Sequence, residues 1–309
     1  MADSGKEGAQ IGARMAYRDG YFVVRDGLRL HYRDYPGPGD RPPLLCLPGL
    51  TRNARDFAAV AERYSPRLRV LALDFRGRGE SEYDLVPARY NPLTYAGDLL
   101  EFLDQLGVPQ AIFAGTSLGG LVTMAIAGLA PQRIAAAILN DVGPELSQAG
   151  LDRIQGYLGR DVRFASWDEA AAAIEASQRQ AFPKHSHTDW VAMARRNCRE
   201  EGGEVRFDYD MAIAEPFKTL GPRPKIDMWP LFEALAQKPL LVVRGALSDL
   251  LSADAAEKMQ AAAPNAKFVE VADVGHAPDL GEPEAISGID AFLTSVGALP
   301  RAAEHPRAG

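Results

Sequence analysis

The sequence predicts an α/β fold built on a mostly parallel sheet and interrupted by one large insertion. Three observations carry this. The runs Pro43–Leu47, Arg69–Leu73, Ala111–Ala114, Ile134–Leu139 and Leu240–Val243 are almost continuously apolar, as strands covered on both faces must be. Segments with apolar residues at three- and four-residue spacing alternate with them, which implies parallel crossover units. After Asp141 the alternation stops for about ninety residues, longer than any ordinary connection inside a core.

In chain order, Tyr21–Val24 and Leu28–Tyr32 flank an Asp26-Gly27 turn signal and read as an antiparallel opening hairpin. Helices are expected over Asn53–Tyr64, Pro92–Leu106 and Leu118–Leu129, each placed between two of the apolar strands. Residues 142–228 are helix-like in composition, carry most of the chain's tryptophans, and finish in the proline-rich run Gly221-Pro-Arg-Pro. The β/α alternation resumes with Leu240–Val243, a helix over Ser252–Ala263, the strand Lys267–Val271 and a last helix near Glu284–Val296, whose Ile286, Ile289, Phe292 and Leu293 share one stripe. The chain thus divides into a flexible segment 1–20, a core of 21–141 and 229–298, an insertion of 142–228 and a tail of 299–309.

Composition narrows the function classes. A chain of 309 residues with 47% hydrophobic and 24% charged residues is a globular sequence able to bury a large core. A net charge of -7, with basic residues scattered among acidic ones, argues against nucleic acid and anionic membrane surfaces as partners. No apolar run reaches signal-peptide or membrane-span length, so the expected location is the cytoplasm. Cys46 and Cys198 fit no zinc or redox spacing, and both thiols are expected to be free.

The strongest chemical signal is Gly115-Thr-Ser117-Leu-Gly119, placed between a strand and a helix. That setting lifts a serine above the sheet edge on a turn so tight that only glycine is tolerated on either side, with the helix amino end facing developing negative charge. A serine hydroxyl needs a base. Of the five histidines, His276 follows the predicted strand Lys267–Val271 and so emerges at the same sheet edge as Ser117. The base in turn needs a carboxylate. Asp249 and Asp141 both lie just beyond strand ends; Asp249 is preferred, because it precedes the His276 strand and gives the order nucleophile, acid, base. His185 and His187 have a metal-like spacing but no third ligand nearby, so no metal is expected.

Together these strings resemble an α/β-hydrolase-fold enzyme of the esterase-like subgroup with a helical cap. The resemblance runs from about Tyr21 to Val296. It rests on Leu47-Pro-Gly-Leu50, Asp74-Phe-Arg-Gly-Arg-Gly-Glu-Ser81, the Ser117 turn, Gly245 to Asp249, and Gly275-His-Ala-Pro. It implies a mostly parallel eight-stranded sheet flanked by helices, with residues 142–228 as the cap. It also implies an oxyanion hole made by the backbone N–H groups of Leu50 and Leu118. Pro48 stands where the family usually has His, but it removes no N–H needed there. The Asp74–Ser81 string is expected to be a packed structural loop.

The activity so implied is that of a cofactor-free serine hydrolase, with Ser117, Asp249 and His276 catalytic and a small carboxylic ester or lactone as substrate. Arg52 and Asn53, just beyond the oxyanion loop, are candidates for touching a substrate carboxylate, although Asn53 equally suits a helix cap. Trp190, Met193 and Phe217 are candidates for lining an apolar substrate site. The same triad serves carbon–carbon bond hydrolases and acyltransferases, and the fold also hosts ligand-binding receptors. A serine nucleophile argues against the haloalkane dehalogenase and epoxide hydrolase branches, which use an aspartate.

Overall fold

The computed structural model describes residues 17–218 and 227–300. β1 (Arg18–Val23) and β2 (Arg29–Tyr35) form the antiparallel hairpin, closed where Gly27 adopts φ +86° in the Asp26-Gly27 turn. β3 (Leu44–Leu47), α1 (Ala58–Tyr64), β4 (Val70–Leu73), α2 (Pro92–Gln105), β5 (Ala111–Thr116), α3 (Leu118–Leu129) and β6 (Ile134–Asn140) follow. The insertion contributes α4 (Gln148–Tyr157), β7 (Arg163–Phe164), α5 (Trp167–Gln178), α6 (His187–Asn197), β8 (Cys198–Glu201), β9 (Glu204–Phe207) and α7 (Glu215–Lys218). The core then resumes with α8 (Trp229–Ala236), β10 (Leu240–Gly245), α9 (Ala253–Ala262), β11 (Lys267–Val271) and α10 (Pro283–Ser295).

The main sheet has eight strands in the order β1-β2-β4-β3-β5-β6-β10-β11, antiparallel through β1, β2 and β4 and parallel from β4 onward. Every residue of β3 and β4 is buried, because helices cover both faces. Residues of α2, α3, α8 and α9 pack on one face, including Phe102, Val122, Phe232 and Met259. α1 and α10 close the other with Val60, Tyr64, Ile289 and Phe292. Each such side chain contributes about 1.5–3 kcal/mol on burial, and this double cover lets the central strands dispense with polar residues.

Several boundaries differ from expectation. Arg18 to Gly20 already pair with β2, so they belong to the core and not to the expected amino-terminal segment; residues 1–16 lie outside the described residues. Leu299 is buried against the α10 face, so it belongs to the core rather than to a tail, and 301–309 lie outside the described residues, as does Gly221-Pro-Arg-Pro. The insertion is not wholly helical. β8 and β9 form a hairpin through Gly202 and Gly203, both at positive φ, and β7 pairs with β9 to make a three-stranded sheet. Its strands face water with charged residues, so apolar alternation is muted in the sequence. Trp190, Met193, Ile174, Phe164 and Cys198 form a small core of the insertion itself.

Candidate active site

The carboxyl ends of β5, β6 and β11 meet over a single region, because β5 and β6 are neighbours in register with Thr116 opposite Asn140. Ser117 follows β5 directly and takes φ +52°, ψ -114°, a strained conformation costing on the order of 1–3 kcal/mol that persists only where packing enforces it. The packing is visible at the flanking glycines. A Cβ on Gly115 would stand 2.5 Å from the Gly119 backbone, and one on Gly119 would stand 2.2 Å from the Leu47 carbonyl oxygen. The strand, the turn and the helix therefore approach more closely than any side chain allows. The Ser117 N–H donates to the Asn140 carbonyl at 3.0 Å, fixing the turn to β6.

His276 joins Ser117 as expected: its Nε2 lies 2.9 Å from Ser117 Oγ. Its Nδ1, however, lies 2.7 Å from Asp141 Oδ2, and Asp141 corrects the expectation of Asp249. Asp141 is fully buried, at the end of β6 beside β5, and takes a positive φ of +55°. Its Oδ1 accepts from the Gly245 N–H at 2.9 Å and its Oδ2 also accepts from Ser248 Oγ at 2.6 Å, so the loop after β10 wraps around the carboxylate. That wrapping carries Asp249 past the site. Asp249 turns toward the insertion and forms a two-pronged ion pair with Arg153 of α4, Nη2 donating to Oδ1 at 2.8 Å. Burial pushes the Asp249 carboxyl up, but the Arg153 hydrogen bond and charge outweigh it and hold the group below its usual range. The preference for Asp249 failed because chain order cannot say which strand end lies nearest in space.

Leu50 lines the cavity with Ser117, and Leu118 follows Ser117 at the start of α3. Among the described residues neither N–H donates a hydrogen bond within the protein, while Gly119 N–H is engaged by the Pro48 carbonyl at 3.1 Å. Arg78, wholly buried, donates from Nε to the Leu50 carbonyl at 2.8 Å and thereby ties the Asp74–Ser81 loop to the oxyanion loop. The same loop is packed as a structural element: Asp74 accepts from His31 Nδ1 at 2.7 Å and from the Glu80 N–H at 3.1 Å, while Arg76 meets Asp98, Asp84 and Asp26.

A cavity of about 130 Å³ lies beside Ser117 and His276, lined by the loop after β3 and by residues of the insertion. It is smaller than the roughly 300–1,000 Å³ of drug-sized sites. Ile154, Ile174, Phe182, Met193 and Phe207 give it an apolar cap wall, while Arg52, Asp56, Arg153, Tyr157 and Arg196 make a polar one. Of the candidate lining residues, Arg52 and Met193 are present. Trp190 is instead sealed in the small cap core beneath Phe182 and His185, and Phe217 packs against the main core; neither lines the cavity. Asn53 caps a short 3-10 turn, accepting from the Arg55 N–H at 3.0 Å, and its amide donates to the Arg196 carbonyl. His185 packs in tilted contact with Phe182 and Trp190, and burial lowers its pKa. Both cysteines are free and buried, and burial pushes the Cys198 thiol up to about 12.

With this geometry established, the comparisons are specific. The sequence profile of the alpha/beta hydrolase fold family matches residues 42–283. The chain belongs to the α/β-hydrolase-fold family. A 3-hydroxybutyrate-oligomer hydrolase of Cupriavidus necator is 35% identical to this α/β-hydrolase, across 86% of this chain and 93% of that protein. A 2-(acetamidomethylene)succinate hydrolase of Mesorhizobium japonicum is 26% identical over 80% of this chain and 85% of its own. Among solved structures, an alpha/beta hydrolase from Novosphingobium aromaticivorans superposes with a TM-score of 0.87 at 49% identity, covering 92% of this chain and 99% of the other. These relatives are hydrolases. The cap residues Arg153, Tyr157, Phe182 and Arg196 were not foreseen as site residues, since helical spacing alone does not tell which face of a cap helix looks down on the serine.

Proposed function

We propose that the protein hydrolyses a short carboxylic ester through an acyl-enzyme on Ser117. The observation that carries this reading is the unbroken chain Ser117 Oγ, His276 Nε2, His276 Nδ1, Asp141 Oδ2, with contacts of 2.9 and 2.7 Å. Asp141 accepts from His276 Nδ1–H, which leaves Nε2 free to accept the Ser117 proton. The Ser117 oxygen adds to the acyl carbonyl, and the N–H groups of Leu50 and Leu118 receive the oxyanion; loss of one such donor typically lowers the rate about 10²- to 10³-fold. His276 then protonates the leaving alkoxide, and afterwards activates a water that releases the acid.

Two features favour a small hydroxyacid ester as substrate. The cavity is short, with an apolar wall beside a cationic one, and the Cupriavidus relative acts by its name on 3-hydroxybutyrate oligomers, which are chains of such esters. The supporting experiment is hydrolysis of p-nitrophenyl esters of rising chain length, of lactones and of the linear 3-hydroxybutyrate dimer, with Ser117→Ala as control. Turnover confined to short acyl groups and lost in Ser117→Ala is expected. Undiminished turnover in that variant contradicts the reading, and stoichiometric binding without turnover would favour a receptor on the same fold.

A further inference from the structure

The insertion supplies a cation whose hydrogen-bond donors go unused among the described residues. Arg196 stands in the last turn of α6 and lines the cavity. Among the described residues its guanidinium donates no hydrogen bond; its one ionic contact is Nε to Asp56 Oδ1 at 3.7 Å. A guanidinium has five N–H donors, and leaving them unused on a half-buried wall is unfavourable unless a ligand or solvent takes them. Asp56 is already engaged. Arg52 holds it by a hydrogen bond from Nη2 to Oδ1 at 2.7 Å and an ionic contact of Nε with Oδ2 at 2.6 Å, so one carboxylate is shared by two guanidiniums. Asp279, the other acid on the cavity, is exposed at the rim and accepts from the Gly281 N–H. Arg153 is matched by Asp249. The charge of Asp279 acts on Arg52 as well, so among the described residues it is Arg196 whose guanidinium has no hydrogen-bonded carboxylate of its own.

This wall is close to the chemistry. A methyl group placed on Gly49 would stand 3.5 Å from Arg52 Cγ and 3.7 Å from Ser117 Cβ, so Arg52 and Ser117 flank the same glycine of the oxyanion loop. Arg52, Arg196 and Ser117 line the same cavity.

We propose that Arg196, with Arg52, forms a carboxylate subsite for the free acid end of a hydroxyalkanoate oligoester, and that Ser117 cuts the ester adjoining that end. The inference rests on the ester-hydrolase reading above. In an oligoester of hydroxyacids each acyl carboxyl is esterified except the last, so the only free carboxylate belongs to the unit that leaves as alcohol. Ser117 Oγ bonds to the acyl carbon and its proton passes to His276 Nε2. The ester C–O bond then breaks, and His276 returns that proton to the departing hydroxyl. The released hydroxyacid monomer keeps its carboxylate on the two arginines. Water next cleaves the acyl-serine and restores the Ser117 proton through His276. The chain is shortened by one unit from its carboxyl end.

The test compares the 3-hydroxybutyrate dimer with its methyl ester, which removes the charge of that end, and follows cleavage of the internal ester in both. The free acid is expected to have at least a tenfold higher kcat/KM in the unaltered protein. Arg196→Gln is expected to lower kcat/KM for the acid by about tenfold to a hundredfold, the range for a charge-assisted hydrogen bond, and to bring the acid-to-ester ratio toward one, with Arg196→Lys between them. Equal rates on acid and methyl ester in the unaltered protein, or an unchanged ratio in Arg196→Gln, would overturn the subsite. A second readout separates this from the hydrolase reading itself. With p-nitrophenyl butyrate as reporter, 3-hydroxybutyrate anion is expected to inhibit competitively, with an inhibition constant at least tenfold weaker in Arg196→Gln. Absence of inhibition, while Ser117-dependent turnover of the reporter persists, rejects the subsite and leaves the triad standing.

Discussion

Replacing Asp141 by asparagine is expected to remove nearly all turnover, whereas the same change at Asp249 is expected to leave most of it. Asp141 has no solvent exposure and accepts hydrogen bonds from His276, Ser248 and the Gly245 N–H. An amide keeps the shape, but its NH2 cannot accept from His276 Nδ1–H, so the imidazole settles in the tautomer whose Nε2 donates to Ser117 instead of accepting. A wrong tautomer in a triad of this kind lowers kcat about 10⁴-fold, which is about 5.5 kcal/mol of barrier. Among the described residues Asp249 hydrogen-bonds through its side chain to Arg153 and feels the charge of His276 without touching it; the Arg153 pair has side chains 26% and 35% exposed, and such pairs contribute about 1 kcal/mol or less to stability. Its loss should loosen the cap over the core and change kcat/KM only a few fold. Initial rates with p-nitrophenyl butyrate for the two variants, with thermal melts to confirm that both remain folded, decide the matter. A loss of about 10⁴ in Asp249→Asn alongside near-native activity in Asp141→Asn would refute the assignment.

Two further outcomes follow from packing and charge. Gly119→Ala places a methyl 2.2 Å from the Leu47 carbonyl oxygen, where backbone must move, and is expected to destabilise the protein by about 3 kcal/mol or more in a urea titration; an unchanged midpoint would contradict the packing argument. His31 is buried between Asp74 and Asp19; burial pushes its pKa down, the two carboxylates push it further up, and the net value lies above the ordinary 6.5. Folding therefore takes up a proton there, so the stabilisation is fully present below about pH 6.5 and is lost as pH rises through the folded value. The melting-temperature advantage of the unaltered protein over His31→Gln should shrink as pH rises above about 6.5, and an advantage independent of pH would contradict it.

How much of this was legible in the sequence differs by kind of feature. The parallel strands were plain because burial on both faces writes itself as unbroken apolar runs. α3 has the expected bounds because the glycines at its amino end admit only one geometry. Ser117 and His276 were legible for a related reason: each follows a strand, and parallel strands deliver their carboxyl ends to one edge. The carboxylate partner of His276 was not, since Asp141 and Asp249 both follow strands. Only the sheet order sets β5 beside β6, and only the Gly245 and Ser248 contacts turn Asp249 away. The hairpin of β8 and β9 escaped because solvent-facing strands such as Cys198–Glu201 can be almost wholly polar. Trp190 and Phe217 were misplaced for the complementary reason: a large aromatic in a cap serves the cap's own packing as readily as a ligand, and composition does not separate the two.

The central claim is that Ser117 forms a covalent acyl intermediate. It is tested most directly by quenching the reaction with p-nitrophenyl butyrate in its first turnover and measuring the mass of the intact protein and its peptides. The account predicts one butyryl group per chain, located on Ser117, absent from Ser117→Ala, and decaying at the steady-state rate. An adduct on another residue, or undiminished hydrolysis by Ser117→Ala, would contradict it.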